Sequence, residues 1–176
     1  MKLRSLLPLA ALALVPALAS CSVFQKKEPP PCPPVYILGD AGTLTKYKDG
    51  KGRDLTDVEF EAEINGFQGD CKYDEKGALV EIQVSFAIKR GPGDTDRKAE
   101  FTYFAAVPLF YPAKDAKAEF PVSVEFPQAT NYVRYTDEPV VLRIPVKDSD
   151  IIQNYEIYLG FQATQEQLER NRQGRK

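Results

Sequence analysis

Apolar and polar side chains alternate one for one through long stretches of this chain. Val58, Phe60, Ala62 and Ile64 fall between Asp57, Glu59, Glu61 and Glu63. A strand there puts its apolar groups on one face and its carboxylates on the other. Val80, Ile82, Val84, Phe86 and Ile88 repeat the pattern most strongly, with Glu81, Gln83 and Ser85 outward. Phe120, Val122, Val124 and Phe126 alternate with Glu119, Ser123 and Glu125, and Pro121 within that run places the strand toward an edge, because it cannot donate to a ladder. Val140, Leu142, Ile144 and Val146 predict a further strand, as do Tyr155, Ile157, Leu159 and Phe161. Val35 to Leu38 predicts a short first strand ended by Gly39-Asp40. Ala99 to Val107 departs from strict alternation, with Phe101, Tyr103 and Val107 on one face and Phe104 and Ala106 on the other. That strand is expected to be covered on both sides. Lys46 to Asp54 and Arg90-Gly91-Pro92-Gly93-Asp94 predict turns.

Short strands separated by turn signals predict an all-β domain, an antiparallel β-sandwich of about seven strands over residues 35–163. Its architecture is expected to be immunoglobulin/fibronectin III-like. Ile144-Pro145 followed by Tyr155 faintly resembles the tyrosine corner of those folds, although Tyr155 opens the seventh predicted strand and the corner opens the sixth. Residues 164–176 predict a short C-terminal helix with a basic tail. Thr164 and Gln167 have the capping-box spacing, and Glu166 early with Arg170 and Arg172 late suits the helix dipole. Leu168 is its only clear apolar residue, so the helix is expected to rest lightly on the sheet. Arg170, Arg172, Arg175 and Lys176 read as a solvated end, or as groups for lipid phosphate or a partner.

The first 20 residues follow a different pattern. Lys2 and Arg4 precede an apolar run from Leu6 to Ala19, shorter than the roughly 20 apolar residues of a membrane-spanning helix. The run ends in Leu18-Ala19-Ser20-Cys21, which resembles the lipobox of bacterial lipoproteins. The resemblance implies cleavage of residues 1–20 as a signal peptide, a diacylglyceryl thioether on Cys21 and an acyl amide on its nitrogen. Several chains give durable anchoring where one is reversible, at about 0.8 kcal/mol for each buried methylene. Ser22, where inner-membrane retention is associated with aspartate, implies the outer membrane over the periplasmic face of the inner one. Residues 21–34 are then the lipidated cysteine and a linker in which Pro29 to Pro34, broken by Cys32, favours an extended spacer of roughly 20 Å.

The whole chain has 23 basic and 25 acidic side chains; without Lys2 and Arg4 the balance is 21 against 25, or −4. This gives no electrostatic case for nucleic acid. With Cys21 lipidated, Cys32 and Cys71 remain as a pair in an oxidising compartment, where a disulfide is the default. It would close a loop of about 40 residues and stabilise by roughly 4 kcal/mol. A redox pair or two thiolate metal ligands are the alternatives, without CxxC spacing or histidine to favour them.

The chain contains no histidine, which removes Ser-His-Asp, Cys-His and His-zinc chemistry. A carboxylate pair for sugar hydrolysis is formally possible, but Glu59, Glu61 and Glu63 read most simply as the solvated face of a strand. Asp94 with Asp96, or Asp148 with Asp150, could meet calcium without matching EF-hand spacing. Gly91 to Gly93 lacks the lysine-serine and helix of a phosphate loop. No catalytic residue, cofactor or metal is therefore assigned. An exposed aromatic row among Tyr103, Phe104, Phe110, Tyr111, Tyr132 and Tyr135 would signal a glycan, lipid or peptidoglycan site.

Cys32-Pro33-Pro34, Gly52 to Val58, Gly69-Asp70-Cys71-Lys72-Tyr73, Arg90-Gly91-Pro92, Phe120-Pro121-Val122 and Tyr155 through Gly160 to Thr164 occur in order. On these motifs the chain resembles a family of Gram-negative, alphaproteobacterial-type envelope lipoproteins. The family brings no assigned activity, so the resemblance implies location and fold. The expectation is a membrane-anchored noncatalytic protein that meets another envelope protein or serves a structural role, or else binds a glycan, lipid or peptidoglycan fragment.

Overall fold

The structure, a computed structural model, describes residues 30–50, 52–147 and 150–174. It is a sandwich of two sheets with nine strands among the described residues. These are β1 (Val35–Ile37), β2 (Thr43–Tyr47), β3 (Val58–Asp74), β4 (Gly77–Arg90), β5 (Lys98–Ala106), β6 (Lys117–Glu125), β7 (Tyr132–Thr136), β8 (Val140–Ile144) and β9 (Ile157–Phe161). One sheet has the order β1-β9-β5-β6; the other runs β2-β3-β4-β7, with β8 also pairing β4. The sandwich is antiparallel apart from β1, which pairs β9 in parallel. This order is not that of the immunoglobulin domain, whose likeness is confined to the two-sheet architecture.

The alternation places the core as expected. Phe60, Ala62 and Ile64 of β3, Val80, Ile82, Val84, Phe86 and Ile88 of β4, and Ala99, Phe101, Tyr103 and Ala105 of β5 are buried between the sheets. Phe86 touches the rings of Phe101, Tyr103 and Phe161 at 5.2, 5.2 and 5.8 Å, making the aromatic centre of the core. Pro121 lies on β6, an edge strand, opposite Thr102. β5 is central, and its outer Phe104 is half-buried under neighbouring segments.

Three parts depart from the sequence expectation. β2 and β7 are strands that alternation did not mark, because β2 buries only Leu44 and β7 buries no side chain fully. β3 also runs on past its bulge at Ile64–Gly66 to Asp74, where most side chains are exposed and backbone pairing to β4 holds the register. Finally, Asp57 is not on the solvated face. It is buried, with Lys48 Nζ 2.8 Å from its carboxylate and the Asp54 amide donating to it.

The predicted helix exists as α1 (Gln165–Gly174), with Gln167 donating its amide to Thr164 Oγ1 and Thr164 donating to Gln167 Oε1. Polar contacts, rather than Leu168 alone, hold it. Gln167 donates to the Thr45 carbonyl at 3.1 Å, and Asn171 to those of Asp40 and Thr43 at 2.8 and 2.9 Å. β2 is an edge strand, so these side chains, one helical turn apart, satisfy backbone acceptors along an open edge. Two cations of the tail are engaged as well: Arg172 pairs with Asp40 at 2.6 Å, and Arg170 lies over the Tyr47 ring at 4.6 Å.

Cys32 and Cys71 form a disulfide, with Cα atoms 5.7 Å apart. It joins the segment ahead of β1 to the outer half of β3, and therefore one sheet to the other. Tyr73 adds a hydrogen bond from its hydroxyl to the Pro31 carbonyl at 2.7 Å. Cys21, Lys2, Arg4, Pro29, Asp148, Arg175 and Lys176 lie outside the described residues. No described helix is long and apolar enough to cross a membrane.

Candidate functional site

One concavity among the described residues is a cleft of about 690 Å³ between α1, the outer face of β5 and β9, and the Leu38–Ala41 connection. Phe104 is exposed toward it because its cross-strand partner is Gly160. A Cβ at Gly160 would come within 2.9 Å of both the Phe104 ring and the Ala41 methyl, so this close approach requires glycine. Lys117, opening β6, sets its ammonium 4.6 Å above the Phe104 ring. The same ammonium bonds Glu119 at 2.8 Å and the Gln162 side-chain carbonyl. Leu38, Ala163 and Leu168 add apolar walls, and Arg172 lies at the rim beside Asp40.

This arrangement suits recognition. It offers a ring face, an amide and two cations to an amphiphile or a sugar ring. Among the described residues Asp40 is the single carboxylate of the lining, and it is ion-paired with Arg172. A glycosidase pair needs two carboxyl groups flanking one bond.

The aromatic residues singled out in the sequence do not form a row. Tyr103 is core, Phe104 floors the cleft, and Phe110 packs on Tyr155 at 5.9 Å. Tyr111 and Tyr132 are exposed, one beyond the end of β5 and the other at the start of β7. Tyr135 stacks on Phe86 at 6.4 Å. Tyr103 and Tyr135 instead converge on a residue the sequence did not mark: both hydroxyls donate to Asp137, each at 2.9 Å. Burial pushes the Tyr103 hydroxyl well above the ordinary tyrosine range, and the Asp137 carboxylate adds to the shift by hydrogen bond and charge. That phenol stays protonated and pins the β7–β8 connection to the core.

The described candidate calcium acids, Asp94, Asp96 and Asp150, are likewise occupied. Asp94 is buried, accepts from the Asp96 and Arg97 amides at 3.1 Å each, and pairs with Arg90. Burial alone would raise its carboxyl, but the Arg90 guanidinium and the Asp96 amide outweigh that and hold it below the usual range. Asp96 accepts the Lys98 amide at 3.0 Å. Asp150 accepts the Lys147 amide and the Tyr155 hydroxyl, each at 2.7 Å. Tyr155 thus makes a corner onto a carboxylate, from a 3₁₀ turn before β9 rather than from a strand. Among the described residues no three His, Cys, Asp or Glu side chains are grouped to hold a metal. Of Glu59, Glu61 and Glu63, the last two are exposed; Glu61 lies 3.4 Å from Lys89.

Lys117, Gln162, Leu38 and Asp40 went unmarked because only the β5–β9 register and the seat of α1 bring them together. A glycine inside an apolar strand was the one available signal. Comparison with protein-family profiles, curated proteins and solved structures yields no match.

Proposed function

We propose that the chain is a noncatalytic lipoprotein of a bacterial envelope. It is held by lipid on Cys21 at the periplasm-facing side of the outer membrane, and its sandwich serves protein interaction or a structural role. The observation that carries this reading is Leu18-Ala19-Ser20-Cys21 after a charged, apolar leader. The Cys32–Cys71 bond supports an oxidising compartment, and the order of motifs supports membership of the Gram-negative lipoprotein family named above. In cells, Cys21→Ser should leave an uncleaved or mislocalised precursor. Persistence of that variant in washed outer membranes would refute the anchor. Crosslinking in intact membranes should capture an envelope protein with the wild-type chain.

A second reading is favoured by the cleft alone, in which Phe104, Lys117 and Gln162 could take a glycan, lipid or peptidoglycan fragment. Titration of muropeptides and short oligosaccharides should shift NMR signals of Leu38, Phe104 and Leu168 if that reading holds. Unchanged signals at millimolar ligand would leave the interaction reading alone.

A further inference from the structure

Four segments meet at one end of the sandwich. They are the chain before β1, the β3–β4 turn, the β5–β6 connection and the β8–β9 connection. Pro34 accepts the Ile157 amide at 2.8 Å, β9 starts opposite Ala106, and β8 ends opposite Ala78 beside the β3–β4 turn. The Phe110–Tyr155 ring contact joins the two connections. At this same end large apolar side chains point outward: Leu109 is 54%, Tyr111 82% and Ile151 62% exposed. The β5–β6 connection turns Phe110 inward and its neighbours Leu109 and Tyr111 outward, around the 3₁₀ turn Pro108–Phe110. Lys114 and Asp115 in the one connection and Lys147 and Asp150 in the other flank them in sequence, two charges of each sign among the described side chains.

Resting on the proposed anchor at Cys21, we infer that this end is a membrane-contact face, with Leu109, Tyr111 and Ile151 entering the headgroup region of the bilayer. Three observations choose lipid as the occupant. The N-terminal chain leaves from this end, where Cys32–Cys71 and Tyr73–Pro31 hold it. Eight residues lie between Cys21 and Pro30, a reach of roughly 30 Å at full extension, so the tether keeps the face within touching distance of the surface. Tethering also raises the effective concentration of the face at the membrane, which lets a small apolar contact set orientation. A tyrosine between aliphatic residues suits the interface, where its ring is buried and its hydroxyl stays wet. The mixed charge of the rim means that zwitterionic lipid suffices.

The test uses the lipoprotein purified from bacterial membranes and reconstituted into phosphatidylcholine vesicles, with a bimane probe on Tyr111→Cys, Ile151→Cys or Leu55→Cys. Leu55 is the control, 81% exposed at the opposite end. Bromination of the acyl chains should cause loss of fluorescence at 111 and 151 and none at 55. Flotation with vesicles but equal fluorescence at all three sites, or loss at 55 alike, would overturn the oriented contact while leaving the anchor in place. Failure to float would overturn the anchor and this inference with it. The substituted side chains are exposed, and circular dichroism matching wild type would confirm that each variant is folded.

Discussion

At the end of the sandwich away from the N-terminal chain, Asp94 and Asp57 are buried beside Arg90 and Lys48. At the other end the closure is a covalent bond from Cys32 to Cys71 and an aromatic contact of Phe110 on Tyr155. The first end uses backbone as well. Gly91 and Gly93 donate to the Glu59 and Val58 carbonyls, and a Cβ at Gly91 would sit 2.1 Å from the Val58 oxygen. Arg97, at φ 60°, donates to the carbonyls of Phe126, Pro127 and Thr130. One end is therefore a network of short-range charges and amides, set by protonation. The other adds a redox-sensitive bond to the Tyr155–Asp150 contact and exposes Leu109, Tyr111 and Ile151. In the proposed oxidising envelope such a bond would persist, close to the proposed tether.

This contrast can be broken at each end. Cys71→Ser should have the largest effect, about 4 kcal/mol from the loop it frees, measured by urea unfolding. Amide exchange should then quicken first at Cys32, at Ile157, whose amide donates to the Pro34 carbonyl, and at Lys72–Tyr73. Asp94→Ala comes next. It leaves Arg90 without its carboxylate partner, and about 3 kcal/mol is expected, the low end for a broken buried pair because Arg90 keeps its 2.7 Å bond to the Asp94 carbonyl. Since the folded Asp94 carboxyl is held below its unfolded value, its contribution is fully present above about pH 5. It is lost as pH falls through the depressed value. The stability gap between wild type and Asp94→Asn should therefore close on acidification, and a gap that does not narrow as pH falls would contradict the ion-pair account. Asp137→Ala strands the buried Tyr103 hydroxyl and should cost about 1–3 kcal/mol; Tyr103→Phe in the same background should restore part of it. The smallest effect belongs to the exposed side chains. Tyr111→Ser and Leu55→Ser should each change stability by no more than about 0.5 kcal/mol, although at opposite ends.

Alternation read the buried half of this molecule and missed what is held by backbone or polar contacts. Val80 to Ile88 is buried at every second position, and so was legible. Thr43–Tyr47 contributes one buried side chain and sits among lysines and glycines, which read as a turn. Tyr132–Thr136 has two half-buried residues, Val133 and Tyr135, and its tyrosines stood out as binding candidates before the strand did. The parallel pairing of β1 with β9 joins Val35 to Ile157 and has no local signature. Likewise, α1 was legible through its Thr164–Gln167 cap. Its seat was not, because Gln167 and Asn171 reach carbonyls more than a hundred residues away. The cleft inherits that difficulty, since every one of its polar contacts depends on the seat of α1 or on β-strand register.

The central claim is that the protein is held to an envelope membrane by lipid on Cys21. Mass spectrometry of the protein extracted from bacterial membranes tests it most directly. The account predicts that the chain begins at Cys21, carries the mass of a diacylglyceryl group and an amide-linked acyl chain on that residue, and lacks residues 1–20. A mature protein that retains residues 1–20, or that begins at Cys21 with a free thiol, would contradict it.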